Sequence, residues 1–466
     1  LRKTTVCWGT LMLTDEGLDS FEKRRAYTVT VVGCGRKGLP TACLLAEAGF
    51  KVFCLDTDQY IIERLKRGFS PFDEPGLKEL IRRNLKAKRL EATTRFEDAI
   101  PISDIVSIAV PVLLDHRMRP DYLQLETACR DVGLNMKAGT LIMVMSTLIP
   151  GTTETLIKET LETASGLEAG KDFGLAYSPV QVTAGRALND ITSNPRVLGA
   201  IDEVSLKAAK AVLRTFSKEG VIEVKDIKTA ESLKLFEAVY RDVNMALANE
   251  LSYLCEKMGI DFLEVMRILN SQPHCHLTLP EFTAKGAPKD PYLLMDEADN
   301  LRVRLRVVTA SRRVNEEALK RVLRLLREAL RSCGKPAKRA RVLILGVSYR
   351  PNLREVEGSI VRGLVEMLQD KGMRVKVYDP LFSYSELIKM GYPAEKTLTR
   401  AAKDMDCLLI TVGHDRFKRL NLRRLKFAMR KPAAIVDLGR VLNCEEVEKE
   451  GFIYRGLGRG ARRSEH

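Results

Sequence analysis

The junction at residues 28–38 constrains this chain most. There the run Thr-Val-Thr-Val-Val passes directly into Gly33-Cys34-Gly35-Arg36-Lys37-Gly38 and then into a helix-like stretch beginning near Pro40. A β-branched run that meets glycines at this spacing and then a helix start is a strand, turn and helix in which each glycine has a steric task. Gly33 makes the tight turn, Gly35 lets backbone N–H groups approach a pyrophosphate, and Gly38 lets the helix pack on the strand. Arg36 and Lys37 are either within reach of phosphates or simply solvated charges. Asp56 closes the next strand-like run, 51–55, where a carboxylate would accept hydrogen bonds from ribose hydroxyls. With no Arg immediately after it, Asp56 favours NAD over NADP, because a 2′-phosphate would be repelled.

The pattern around this unit repeats it. Short apolar runs at 28–32, 51–55, 104–110, 140–145 and 173–177 alternate with amphipathic helical stretches, the signature of a parallel sheet wound by crossover helices. After a run at 221–224 the period changes, and 229–259 reads as one long helix with apolar residues three and four apart and no Pro. A second α/β block opens at Arg341, with strand-like runs at 341–345, 374–378, 407–412 and 434–438. The predicted fold is α/β, with two doubly wound Rossmann-like domains joined by a central all-helical domain that carries the long helix. The boundaries are an N-terminal extension, 1–26; an NAD-binding domain, 27–225; a central helical domain, 226–331, whose long helix either joins domains or builds a dimer interface; a C-terminal domain, 332–455; and a basic tail, 456–466.

Composition narrows the class. The 466 residues hold 76 Lys or Arg against 61 Asp or Glu, a balance of +15, and 45% are apolar. That apolar share excludes a generally disordered chain. No apolar run reaches the roughly 18–20 residues of a bilayer span, so a soluble, cytoplasmic protein with no membrane partner is expected. Ten Cys scattered without C-x-x-C pairs suit reduced, buried thiols, and five His, of which His274 and His276 flank Cys275, make no metal site. The positive excess fits either a solvated surface of the kind thermophile proteins carry or a polyanionic partner.

Several co-linear segments together resemble the nucleotide-sugar 6-dehydrogenases, the UDP-glucose, UDP-N-acetylmannosamine and GDP-mannose dehydrogenase family. They are VGCGRKGLP at 32–40, AVPVLLD at 109–115, MSTLIPGTT at 145–153, NPRVLGA at 194–200, KLFEAVYRDVNMALANEL at 234–251, APKDPYLL at 287–294, ILGVSYRPN at 344–352 and TVGHDRF at 411–417. The resemblance implies an N-terminal NAD domain, a central dimerisation domain giving a homodimer through the long helix, and a C-terminal domain for a UDP- or GDP-linked sugar. It also implies oxidation of a sugar C6 alcohol to the acid in two NAD-dependent steps through a thioester on a catalytic Cys. By this resemblance Lys234 is the oxyanion-stabilising Lys, while Asp290 and Thr147 fall on the family's catalytic Asp and Thr. Gly33, Gly35, Gly38 and Asp56 form the cofactor set.

The sequence departs from the family where the chemistry is done. The nucleophilic Cys should stand four residues before Asp290, and that position is Gly286. The oxyanion Asn expected one turn after Lys234 is Ala238, the Glu and Arg of a Ser-Pro-Glu-Arg segment are Val180 and Gln181, and a ligand-binding Arg is Glu357. The expected function is therefore an NAD-dependent oxidoreductase of a nucleotide sugar with altered or lost catalysis. The alternative is a non-catalytic descendant that binds or scaffolds, with RNA, the ribosome or an active paralogue as partner.

Overall fold

The computed structural model of the chain describes residues 13–282 and 288–459. These form two compact units, one running to Ala238 with Lys289–Arg304 added, the other made of Val239–Pro288 and the chain from Leu305 onward.

The first unit is built on an eight-stranded sheet. Its strands are β1 (Thr28–Val32), β2 (Lys51–Leu55), β3 (Leu90–Thr93), β4 (Ile105–Ile108), β5 (Leu141–Val144), β6 (Gly174–Tyr177), β7 (Arg196–Ala200) and β8 (Val221–Glu223). Their order across the sheet is β8-β7-β6-β5-β4-β1-β2-β3. Strands β4, β5 and β6 are buried along their whole length, as strands covered by helices on both faces must be. Only the β6–β7 pair is antiparallel, with Ala176 opposite Ala200. The chain leaves β1 toward β2 on one side and returns to β4 on the other, so the strand order reverses between β1 and β4 and opens a crevice at their carboxyl ends.

Two strands of this sheet carry weak sequence signals. Strand β3 reads Leu-Glu-Ala-Thr and β7 reads Arg-Val-Leu-Gly-Ala, neither with a continuous apolar run. Part of the N-terminal extension also packs on the unit, since Leu13 and Leu18 are buried in its core and Arg24 donates to the carbonyl of Ala48 at 3.1 Å.

The second unit has a five-stranded parallel sheet: β9 (Arg341–Leu345), β10 (Arg374–Tyr378), β11 (Cys407–Ile410), β12 (Ala434–Asp437) and β13 (Ile453–Gly456), in the order β10-β9-β11-β12-β13. The long helix, Ile227–Met258, covers 32 residues, close to the span its apolar spacing predicts. The α/β class, the two parallel sheets and the helical segment between them thus match the sequence-based expectation.

Polar keys lock the helices of the second unit. Arg312 donates to Asp242 Oδ1 at 2.5 Å, Asn315 donates to the same oxygen at 3.0 Å, and Asn315 also receives a bond from Asn249 at 3.1 Å. Both Arg312 and Asp242 are buried. Removing one partner of a buried ion pair strands the other charge, a loss of about 3–5 kcal/mol, whereas replacing both with apolar groups of similar volume is often neutral. Urea denaturation should therefore show a large destabilisation for Arg312→Met and recovery of most of it in Arg312→Met/Asp242→Leu.

Candidate functional site

The glycine loop after β1 has the sterics expected of it. A Cβ on Gly33, at φ +93°, would lie 2.9 Å from the carbonyl oxygen of Ala109, and one on Gly38 would lie 1.8 Å from that of Gly33. Gly35 instead faces open space. Asp56 organises the loop from the end of β2, because its Oδ2 accepts the Cys34 N–H at 2.7 Å while Oδ1 accepts the Asp58 N–H at 2.9 Å. Gly33, Gly35 and Asp56 line a cavity of 790 Å³ that also takes in Asp131, Thr147 and Lys289. Backbone N–H groups at a helix start, an open glycine and a carboxylate at the end of β2 fit a dinucleotide of the NAD type.

The predicted chemical residues come together in the same unit. Lys234 is buried on the long helix with Nζ 3.6 Å from Asp290 Oδ2, a pairing made by residues far apart in the chain. Thr147, buried in the loop after β5, accepts a 2.7 Å hydrogen bond from Lys37 Nζ. Burial pushes the Lys37 ammonium down to about 8, with Asp290 opposing and Lys234, Lys289 and Arg196 adding to the fall. Lys37 is half-buried and lines the same cavity, with its ammonium bonded to Thr147.

Two further groups escaped the sequence reading. Glu231, one turn before Lys234 on the same helix face, accepts from the N–H groups of Gly151 at 2.5 Å and Thr153 at 2.9 Å and from the Thr153 hydroxyl at 2.6 Å. It ties the loop after β5 to the long helix. Burial lifts its carboxyl to about 7 against the pull of these three donors. Arg196, buried on β7, donates to the carbonyl and hydroxyl of Ser178, each at 3.1 Å, and has no carboxylate partner among the described residues. The spacing of Glu231 before Lys234 was the available signal for the first; nothing local marks the second.

The departures occupy ordinary packing positions. Val180 is buried in the apolar core, Ala238 is buried on the long helix, and Gln181 donates through Nε2 to Glu237. Gly286 lies outside the described residues. The four described thiols of this unit, Cys34, Cys43, Cys54 and Cys129, are all buried. Cys34 sits in the glycine loop but turns its Sγ to the carbonyl of Leu55, and neighbouring Cys54 and burial raise its thiol well above the usual range.

The second unit repeats the crevice logic at the ends of β9 and β11. A pocket there is lined by Phe282, Tyr349, Arg350, Ser359, Thr411 and Arg440 among others. Gly346, at φ +99°, turns the chain after β9. Asp379 accepts from the Val347 N–H at 2.7 Å and from His414 Nε2 at 3.3 Å. His414 Nδ1 accepts the Asn352 N–H at 2.9 Å, which assigns the ring proton to Nε2.

Two doubly wound units, the first with a dinucleotide crevice, define a nucleotide-binding α/β protein of the dehydrogenase class. Models of the UDP-glucose/GDP-mannose dehydrogenase family match along the chain: the NAD binding domain at 27–217, the central domain at 228–317 and the UDP binding domain at 343–444. The UDP-N-acetyl-D-mannosamine dehydrogenase of Pyrococcus horikoshii is 31% identical over 434 residues, 93% of this chain and 99% of the relative. The solved structure of that organism's UDP-D-ManNAc dehydrogenase has a TM-score of 0.85 over 93% of this chain and 99% of its own. A UDP-glucose dehydrogenase from Pyrobaculum islandicum, 25% identical, has a TM-score of 0.81 over 93% of this chain and 98% of its own. The chain belongs to the UDP-glucose/GDP-mannose dehydrogenase family.

Glu231 gives a test of the site's construction. Its carboxyl titrates near 4.5 when unfolded and at about 7 when folded. A raised carboxyl means that the unfolded state loses the proton first, so stability from this group is full below pH 4.5 and declines as pH rises to about 7, by a total of about 3 kcal/mol. Urea denaturation at pH 5, 6 and 7.5 should show that decline in the native chain and a flatter profile in Glu231→Gln.

Proposed function

We propose that the chain binds a UDP-linked sugar beside an NAD-type dinucleotide and no longer carries out the four-electron oxidation of that sugar to its acid. In this reading Gly33, Gly35, Gly38 and Asp56 hold the dinucleotide. Lys234 polarises the sugar alcohol oxygen, Asp290 sets the position of that ammonium, and Thr147 orders the groups beside it. The dinucleotide accepts two electrons when bound. The observation that carries the reading is the missing thiol. The sequence has Gly286 four residues before Asp290, and each of the four described thiols of the unit is buried. A thioester cannot form without a thiolate, and Val180, Gln181 and Ala238 supply none of the polar groups that the second oxidation needs.

The UDP binding domain and the names of the relatives make UDP-N-acetylhexosamines the first substrates to try. An exposed apolar stripe on the long helix, Leu233, Tyr240, Leu247 and Leu254 at intervals of seven with Phe236 beside it, supports a homodimer through that helix. Titration calorimetry with UDP-N-acetylmannosamine, UDP-N-acetylglucosamine, UDP-glucose and GDP-mannose should show binding of a UDP-sugar. NADH absorbance should rise by at most one equivalent per sugar, and Gly286→Cys alone should not double it. Two equivalents of NADH per sugar in the native chain would falsify the proposal. If not even one forms, the chain is a binding protein of its family, with an active paralogue or a polyanion such as RNA as its partner.

A further inference from the structure

The stretch 416–431 holds eight Lys or Arg and no Asp or Glu, so sixteen residues carry more than half of the chain's excess of +15. Its helix, Leu422–Ala428, turns Leu425 into the core of the second unit, with Leu422 and Ala428 packed against that core. The opposite side of the helix faces outward. Arg423, Arg424 and Phe427 are exposed there, and Phe427, at 81%, is the most exposed large apolar side chain among the described residues. Lys431 Nζ stands 5.1 Å from the centre of its ring. Arg423 pairs with Glu450, and Arg430 faces Asp406, which already holds Lys335. Arg424 and Lys431 have no carboxylate partner among the described residues. The helix Leu398–Ala402 packs alongside, where Arg400 and Lys403 are exposed against one exposed acid, Asp404.

A lone exposed apolar side chain is ordinary, and so is a solvated charge. An apolar ring standing clear of the surface among cations has a more particular fit. An anionic bilayer presents phosphates at its surface and hydrocarbon just below, so the cations and the ring find partners at two depths. Single-stranded nucleic acid offers phosphates too, but it is held in grooves by successive aromatic rings. Here the ring protrudes, and the stretch 396–432 has no second exposed aromatic. We infer that this face docks on an anionic membrane surface, with Phe427 at the acyl boundary and Arg424 and Lys431 on the headgroup phosphates. No helix among the described residues is long and apolar enough to cross a bilayer, so the contact is peripheral and sensitive to salt. It revises the expectation of no membrane partner, which rested on the lack of a spanning run. It is independent of how the dinucleotide and sugar sites are read.

The test is flotation of the full chain with vesicles of one part phosphatidylglycerol to two parts phosphatidylcholine, beside vesicles of phosphatidylcholine alone. The native chain should float with the anionic vesicles and not with the neutral ones, and about 0.5 M salt should release it. Phe427→Ala should weaken partition about tenfold, the effect of withdrawing one aromatic ring from an apolar environment, and Phe427→Trp should retain it. Arg424→Gln/Lys431→Gln should weaken it about fivefold per charge removed. All three positions are exposed, so thermal unfolding of these variants should match that of the native chain. Equal flotation with neutral vesicles overturns the inference. So does native-like partition of Phe427→Ala, which would leave only diffuse adsorption of a basic protein. Absence of flotation at low salt overturns it outright, and retardation of a single-stranded RNA homopolymer that Phe427→Ala weakens would then assign the face to nucleic acid.

Discussion

Glu231 reaches from the long helix into the loop after β5 and takes three donors there, two backbone N–H groups and one hydroxyl. The geometry of the candidate site follows from that grip. The loop carries Thr147 near its start, and the helix carries Lys234 one turn beyond Glu231, so one carboxylate fixes the separation of a loop-borne hydroxyl and a helix-borne ammonium. Asp290 then meets Lys234 from a third segment, at the start of helix Asp290–Asn300. A buried carboxylate is costly unless its lone pairs are filled. Here they are filled by backbone donors of a loop that, having no ladder partners of its own, needs acceptors. Each side satisfies the other.

The parts of this structure legible in the sequence are the local ones. The turn from β1 into helix Gly38–Ala48 is legible within eleven residues from its glycine spacing, although the atoms that exclude a Cβ at Gly33 belong to Ala109 and Val110, just past the adjacent strand β4. Asp56 could be placed for the same reason. Strands β3 and β7 could not, since a four-residue run with Glu and a run that opens on Arg have no apolar period to read, and they exist because a neighbouring strand pairs with them. The convergence of Thr147, Lys234 and Asp290 came from resemblance and not from spacing, as befits groups joined only by tertiary packing. The bond of Lys37 to Thr147 was the least legible feature. A Lys in a polar, glycine-rich loop gives no sign of whether it turns to solvent or inward.

Packing explains why a scaffold of this family tolerates apolar residues at positions beside its site. A position emptied of a catalytic polar group does not stay empty. Val180 and Ala238 are apolar and buried, and such residues stabilise a fold where a Glu or an Asn in the same place would need a partner. Apolar residues at these sites therefore raise no obstacle to folding, and the long helix that carries Ala238 keeps its register.

Lys37 runs against that trend, and the contrast argues for a ligand. Its ammonium titrates near 10.5 in an unfolded chain and at about 8 in the folded one. Folding thus disfavours the charged form, and this group costs stability throughout the range below pH 8, a cost that fades only as pH rises toward 10.5. The other cations around it, Lys234, Lys289 and Arg196, deepen the cost, and a basic surface of +15 shows no shortage of exposed positions for Lys. A cation of this kind is stabilised by a bound anion placed within its field. The pyrophosphate of a dinucleotide supplies two negative charges at the mouth of the same glycine loop.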